Sequence, residues 1–287
     1  MGNIATNLDQ QIEKLQSRGM CLDIEITKVK ELLLDIGYYR LGFYWCPFSN
    51  KDHIFIPNTK FSDIIALYYL DVDLRNVLMR YINRIEINFR TKLIYYVSNK
   101  YKSSPNWFVD TEVVSQNFID DIDKFYNKDF IRNNSPIKKH HSKYPDENYA
   151  PAWKTLEFFS FGTILRIYKN LIEEDIKERI SNIYGIRKVR KFISFIETIV
   201  LVRNTCAHSS VLFDFNTPKG ISSIPEVSFE RDNHSLSACV KVIAYILGKI
   251  SKSRKEDMLK SIWEVLNRNA DNQIVKSIIE EKMKFKL

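Results

Sequence analysis

The chain has 287 residues, 45% of them hydrophobic and 27% charged, with a formal net charge of +8. That length can bury a substantial core, and the composition excludes a disordered or fibrous chain. Apolar runs are broken by charge well before 18 residues, so no membrane-spanning helix is expected, and the opening residues lack the basic-then-hydrophobic pattern of a secretory signal. Four scattered cysteines, Cys21, Cys46, Cys206 and Cys239, form no CxxC pair. Their spacing argues against a zinc site or a disulfide framework and for a reducing cytoplasm. No cofactor or metal is expected, and the excess of positive charge favours a polyanion, of which nucleic acid is the common cytoplasmic example.

Only eight glycines and eight prolines, with long stretches at helical spacing, predict a mostly α-helical protein. A short amphipathic helix is expected over 5–18, ended by Gly19, and a second over 27–36, broken at Gly37. The aromatic run Tyr38-Tyr39-Arg40-Leu41-Gly42-Phe43-Tyr44-Trp45 reads as a packed connection rather than a base-stacking platform. The strongest helical signal spans 61–101, where Leu74, Leu78, Tyr81, Ile85, Phe89, Leu93 and Tyr96 form a core-facing stripe. Arg84, Glu86 and Arg90 are embedded in it. Glu86 and Arg90 stand four apart and can pair, either in solvent or facing the cleft of the motif described below.

Residues 103–150 are the most polar part and read as a helix near 111–129 followed by a long basic loop holding His140 and His141. Helix resumes over 151–182, opened by Pro151-Ala152-Trp153 and interrupted at Gly162. An irregular excursion or short hairpin is expected over 211–231, then helices near 235–250, 255–267 and 271–284. The expected organisation is an N-terminal helical extension, residues 1–60, packed on one helical domain, residues 61–287. Basic residues gather in three places: Lys124, Lys128, Arg132, Lys138, Lys139 and Lys143 around the two histidines; Arg187, Lys188, Arg190 and Lys191; and Lys249, Lys252, Arg254 and Lys255. Each cluster alone reads as solvated surface. Three in a basic chain read equally as an RNA-binding surface, with Lys138, Lys139, His140, His141, Arg187, Lys188, Arg190 and Lys191 as the candidate contacts.

The apolar stretch 192–202 predicts a buried helix that closes on Arg203-Asn204-Thr205-Cys206-Ala207-His208. With about 100° and ~1.5 Å per residue, Asn204 and His208 share one face, with Arg203 at its edge. A guanidinium fork and an imidazole so placed suit a phosphate. A permanent cation, an amide and a titratable imidazole are also the groups that cleave RNA without a metal, because the attacking 2′-hydroxyl belongs to the substrate. His208 would act as general base or acid. Arg203 would stabilise charge on the pentavalent phosphorus, and Asn204 would orient His208 or a phosphate oxygen. Arg84, Glu86 and Arg90 are candidates to support this site. Two other readings stay open: a non-catalytic module in which the motif only grips phosphate, and a helical interaction protein whose Arg203 and His208 satisfy buried carbonyls.

Several segments, in order, resemble the bacterial abortive-infection proteins of the AbiD/AbiF type. They are Leu15-Gln16-Ser17-Arg18-Gly19-Met20, Gly37-Tyr38-Tyr39-Arg40-Leu41-Gly42-Phe43-Tyr44, Leu67-Tyr68-Tyr69-Leu70-Asp71-Val72-Asp73-Leu74-Arg75 and Arg84-Ile85-Glu86-Ile87-Asn88-Phe89-Arg90. Pro151-Ala152-Trp153 with Glu157 and Ser160-Phe161-Gly162 follows, and then Val202-Arg203-Asn204-Thr205-Cys206-Ala207-His208-Ser209. The resemblance implies an all-α, HEPN-like helical bundle and a metal-independent endoribonuclease acting in phage defence. It places the superfamily's Arg, polar residue and His on Arg203, Asn204 and His208. It further implies a homodimer with a composite site, RNA as substrate, and in some members a small non-coding RNA or a partner protein. Relatives often carry an Arg after the His; here Ser209, Ser210 and Val211 follow.

Overall fold

Side chains that satisfy free backbone groups set the first helices. Asn7 and Gln10 close a reciprocal capping box at the start of α1 (Leu8–Ser17), and the left-handed Gly19 (φ +92°) ends it. α2 (Ile26–Asp35) stops before Gly37 (φ +94°), from which α3 (Tyr38–Trp45) starts at once. The aromatic run is therefore a helix and not a connection. Leu41, Tyr44 and Trp45 turn inward while Tyr39 and Phe43 stay exposed, because a left-handed glycine redirects the chain without spending residues on a loop.

The 40-residue α4 (Phe61–Lys100) buries Phe61, Ile64, Leu67, Leu74, Leu78, Ile85, Phe89 and Leu93 along one stripe. Near its start the Ser62 N–H donates to the Asp23 carboxylate at 3.0 Å. The stripe closes on Val97 rather than on Tyr96, which is only half-buried.

The computed structural model describes residues 4–229 and 232–286. Between 103 and 150 it corrects both expectations. No helix runs over 111–129; single turns replace it, among them α5 (Gln116–Ile119). Asp110 draws the Glu112 N–H to its own side chain at 2.9 Å, a local bond that competes with helix. The basic stretch is not a loop but two helices, α6 (Lys128–Asn133) and α7 (Ser135–Lys143). Asn127 caps the first, accepting the Phe130 N–H at 2.9 Å, and Pro136 sits in the first turn of the second.

α8 (Ala152–Thr155) leads to α9 (Phe161–Asn170). The break expected at Gly162 falls earlier, at Ser160, whose hydroxyl caps α9 by accepting the Thr163 N–H at 3.1 Å. Then come α10 (Glu174–Ile183), α11 (Val189–Ala207), α12 (Leu236–Ile250), α13 (Lys252–Asn267) and α14 (Gln273–Glu281). The excursion after α11 is irregular as expected, with isolated pairings Asn216↔Ser235 and Ile224↔Val227; Glu230 and Arg231 lie outside the described residues. The fold is all-α, and among the described residues no helix is long and apolar enough to cross a membrane.

The chain groups into two compact units. One comprises Met1–Val77, His208–Phe215 and Lys260–Leu287; the other comprises Leu78–Ala207 and Asn216–Leu259. In the second, α11 rests on α9, α10 and α12. Its centre is an aromatic cluster in which the Phe89 ring stands 5.4 Å from Tyr168 and 5.8 Å from Phe192, with Tyr184 stacked on Phe192 at 5.1 Å. Such pairs add about 0.5–1.5 kcal/mol each beyond area burial. The motif thus closes a helix whose inner face is buried.

Candidate functional site

α11 buries Phe192, Phe195, Ile196, Ile199 and Val202, and so delivers Arg203 and Asn204 in its last turns. Arg203 is half-buried and Asn204 exposed. The Arg203 guanidinium lies with Nε 3.5 Å from the Glu86 carboxylate, and its Nη1 donates to Asn204 Oδ1 at 3.3 Å. Glu86 is itself buried and held by Arg90, whose Nη2 donates to Glu86 Oε1 at 2.8 Å and to the Phe159 carbonyl at 2.9 Å. Glu86 therefore joins Arg90 of α4 to Arg203 of α11. The pair is thus buried rather than solvated, and its Glu86 meets Arg203. The Nε atoms of Arg90 and Arg203 are buried without a hydrogen bond, so this network is charge-paired but not fully satisfied. Arg84, the third supporting candidate, is half-buried and near the Tyr184 hydroxyl, which donates to Asn88 at 2.8 Å.

His208 is the first residue beyond α11 and is exposed; Ser209 after it takes a left-handed φ of +53°. The segment that follows is held by residues that sequence reasoning did not single out. Asp71, fully buried, accepts the N–H of Leu212 at 3.0 Å and of Phe213 at 2.7 Å. The Tyr44 hydroxyl and Arg75 Nη1 also donate to it, at 2.9 and 2.6 Å. Arg75 reaches the Ser210 carbonyl at 3.1 Å and Arg40 the Ser209 carbonyl at 2.9 Å. Burial pushes the Asp71 carboxyl up, against the pull of the two N–H groups, Arg75 and Tyr44. Burial also pushes the Tyr44 hydroxyl up, keeping it a donor. One signal was present in the sequence: Asp71 and Arg75 stand four apart on a helix otherwise read for its apolar stripe.

A family model described as "Abi-like protein" matches residues 31–214, well over half of the chain. The chain belongs to the Abi-like protein family. Membership points to abortive infection, a form of phage defence. No curated protein and no solved structure matches the chain. The matched part of this Abi-like protein takes in Arg40, Tyr44, Asp71, Arg75, Glu86, Arg90 and the whole Arg203–His208 motif.

The remaining candidates of the Abi-like chain separate by exposure. His140, expected in a solvated loop, is buried: its Nε2 pairs with Glu147 at 2.9 Å and its Nδ1 lies 3.4 Å from the Lys154 ammonium. His141 shares a 2.8 Å hydrogen bond with the Tyr126 hydroxyl. Both histidines are turned to packing because α7 is a helix, which sends Ile137 and His140 to one side and Lys138 and Lys139 to solvent. Arg187, Lys188 and Arg190 are exposed, while Lys191 is half-buried and donates to the Ser223 carbonyl. Arg187, Lys188 and Lys191 line an open groove of about 460 Å³ with Ile224, Pro225 and Glu226. Cys206 is buried inside the motif. Among the described residues, no three His, Cys, Asp or Glu side chains are grouped to hold a metal ion.

Proposed function

We propose that this Abi-like protein is an endoribonuclease of the HEPN type, related to the AbiD/AbiF proteins and acting on RNA in the bacterial cytoplasm during phage defence. The observation that carries this reading is the split role of the motif. Arg203 is anchored by Glu86 at the end of a buried helix, while Asn204 and His208 are left exposed. Polar groups kept only to satisfy a core would be buried and paired. Here a cation held by a buried carboxylate stands beside the solvent-facing Asn204, four residues before the exposed His208.

The substrate's 2′-hydroxyl attacks the adjacent phosphorus, and His208 takes its proton. Charge builds on the non-bridging oxygens, where Arg203 supplies a permanent countercharge and Asn204 a polar contact. The bond to the 5′-oxygen breaks, and that oxygen receives a proton from an imidazolium. In a homodimer the His208 of the second copy supplies the acid. The products are a 2′,3′-cyclic phosphate and a 5′-hydroxyl, and this chemistry requires no metal. The exposed Lys138, Lys139, Arg187, Lys188 and Arg190 supply phosphate contacts along the strand.

The test is incubation in EDTA with a single-stranded RNA and with the same sequence carrying 2′-O-methyl groups. Cleavage of the RNA alone, leaving cyclic-phosphate ends, is expected. Cleavage of both strands overturns the mechanism. Retention of the RNA without any cut moves the assignment to a non-catalytic RNA-binding module.

A further inference from the structure

The general acid or base of the proposed reaction sits at the very end of its helix, with its side chain in solvent. His208 is exposed and lies past the last helical residue, Ala207. A proton-transferring group has to stay within about 2.6–3.2 Å of its partner atom, and a displacement of about 1 Å can cost roughly 10²-fold in rate. The immediately following backbone is nevertheless fixed at four points within one compact unit. Arg40 and Arg75 take the carbonyls of Ser209 and Ser210, and Asp71 takes the N–H groups of Leu212 and Phe213.

Two features separate this arrangement from ordinary loop packing. Asp71 is a carboxylate with 0% exposure whose donors include two N–H groups of this one segment. An ion pair buried that deeply is a poor way to add stability, since an apolar pair often serves as well or better. What the pair does supply is a directional grip on backbone. The second feature is Ser209, which holds a φ of +53°, uncommon for a residue with a side chain. Such conformations persist where the surroundings over-determine them, and here they do so one residue after the imidazole.

We propose that Asp71, Arg75, Tyr44 and Arg40 form a positioning assembly that fixes His208 for proton transfer. This rests on the reading of His208 as general acid or base. Asp71 and Arg75 anchor the segment from inside, and Tyr44 orients Asp71. Arg40 closes the assembly from the half-buried side, at the residue next to His208.

Arg40→Ala is the informative variant, because it removes one contact next to His208 and leaves the buried Asp71–Arg75 pair intact. Asp71→Ala would strip Arg75 of its partner and put folding at risk. Two readouts are compared in wild type, Arg40→Ala and Arg40→Lys: RNA cleavage kinetics, and the order of the His208 ring by NMR relaxation. The expected result is a kcat lowered about 10–100-fold in Arg40→Ala, with KM and Tm unchanged and a more mobile His208 ring. Arg40→Lys should recover most of both. A wild-type kcat in Arg40→Ala overturns the proposal, as does a loss expressed only in KM. If wild type cuts no RNA, the acid–base role falls and ring order alone decides; equal order in wild type and Arg40→Ala then overturns the assembly.

Discussion

Glu86 is the residue on which both arginines of the site depend. It receives Arg90 from its own helix and meets Arg203 from α11, all three at least partly withdrawn from water. Removing a buried partner leaves uncompensated charge, which typically costs about 3–5 kcal/mol. Glu86→Ala should therefore lower unfolding stability by about that amount in urea, whereas a loss below about 1 kcal/mol would place the pair in the class of solvated surface bridges. The Glu86–Arg90 pair was legible in the sequence because four residues on a helix is a fixed distance. Its link to Arg203, 113 positions on from Arg90, was not, because only tertiary packing brings α11 to α4. His140 failed for a related reason: its partner Glu147 lies beyond the end of α7, and a basic, proline-containing stretch gave no sign of burial.

At the scale of elements, long apolar periodicity and caps carry different amounts of information. α4 is plain in the sequence because its stripe repeats over many turns, so errors at single positions average out. Its observed limits, Phe61–Lys100, lie within one residue of those expected. The short helices α6 and α7 were missed: α6 starts on a single side-chain contact, Asn127 on the Phe130 N–H, which has no period to detect. The same physics gives an expected outcome for α12. Ser235, 2% exposed, accepts the Ala238 N–H at 3.3 Å and starts a helix whose inner face is almost wholly buried. Ser235→Ala should cost about 1 kcal/mol and lower the melting temperature by calorimetry. An unchanged Tm would mean that packing of α12 sets its start regardless of the cap.

At the scale of the whole molecule, the two units are assembled from segments far apart in the chain, and one contains α1, α14 and the stretch after the motif. No shift in composition marks such a division, since its segments meet only after folding. The all-α class was legible, because few glycines and prolines and helical spacing leave little else. Family membership and the motif give the fold its functional direction. Of the residues bearing that direction, His208 alone is assigned the transferred proton. Purified wild type and His208→Ala, matched in melting temperature, should be incubated with end-labelled single-stranded RNA in EDTA. Cleavage by wild type and a loss of about 10²–10⁴-fold in the variant are expected. Equal cleavage by both proteins would contradict the assignment of His208 and, with it, the nuclease mechanism.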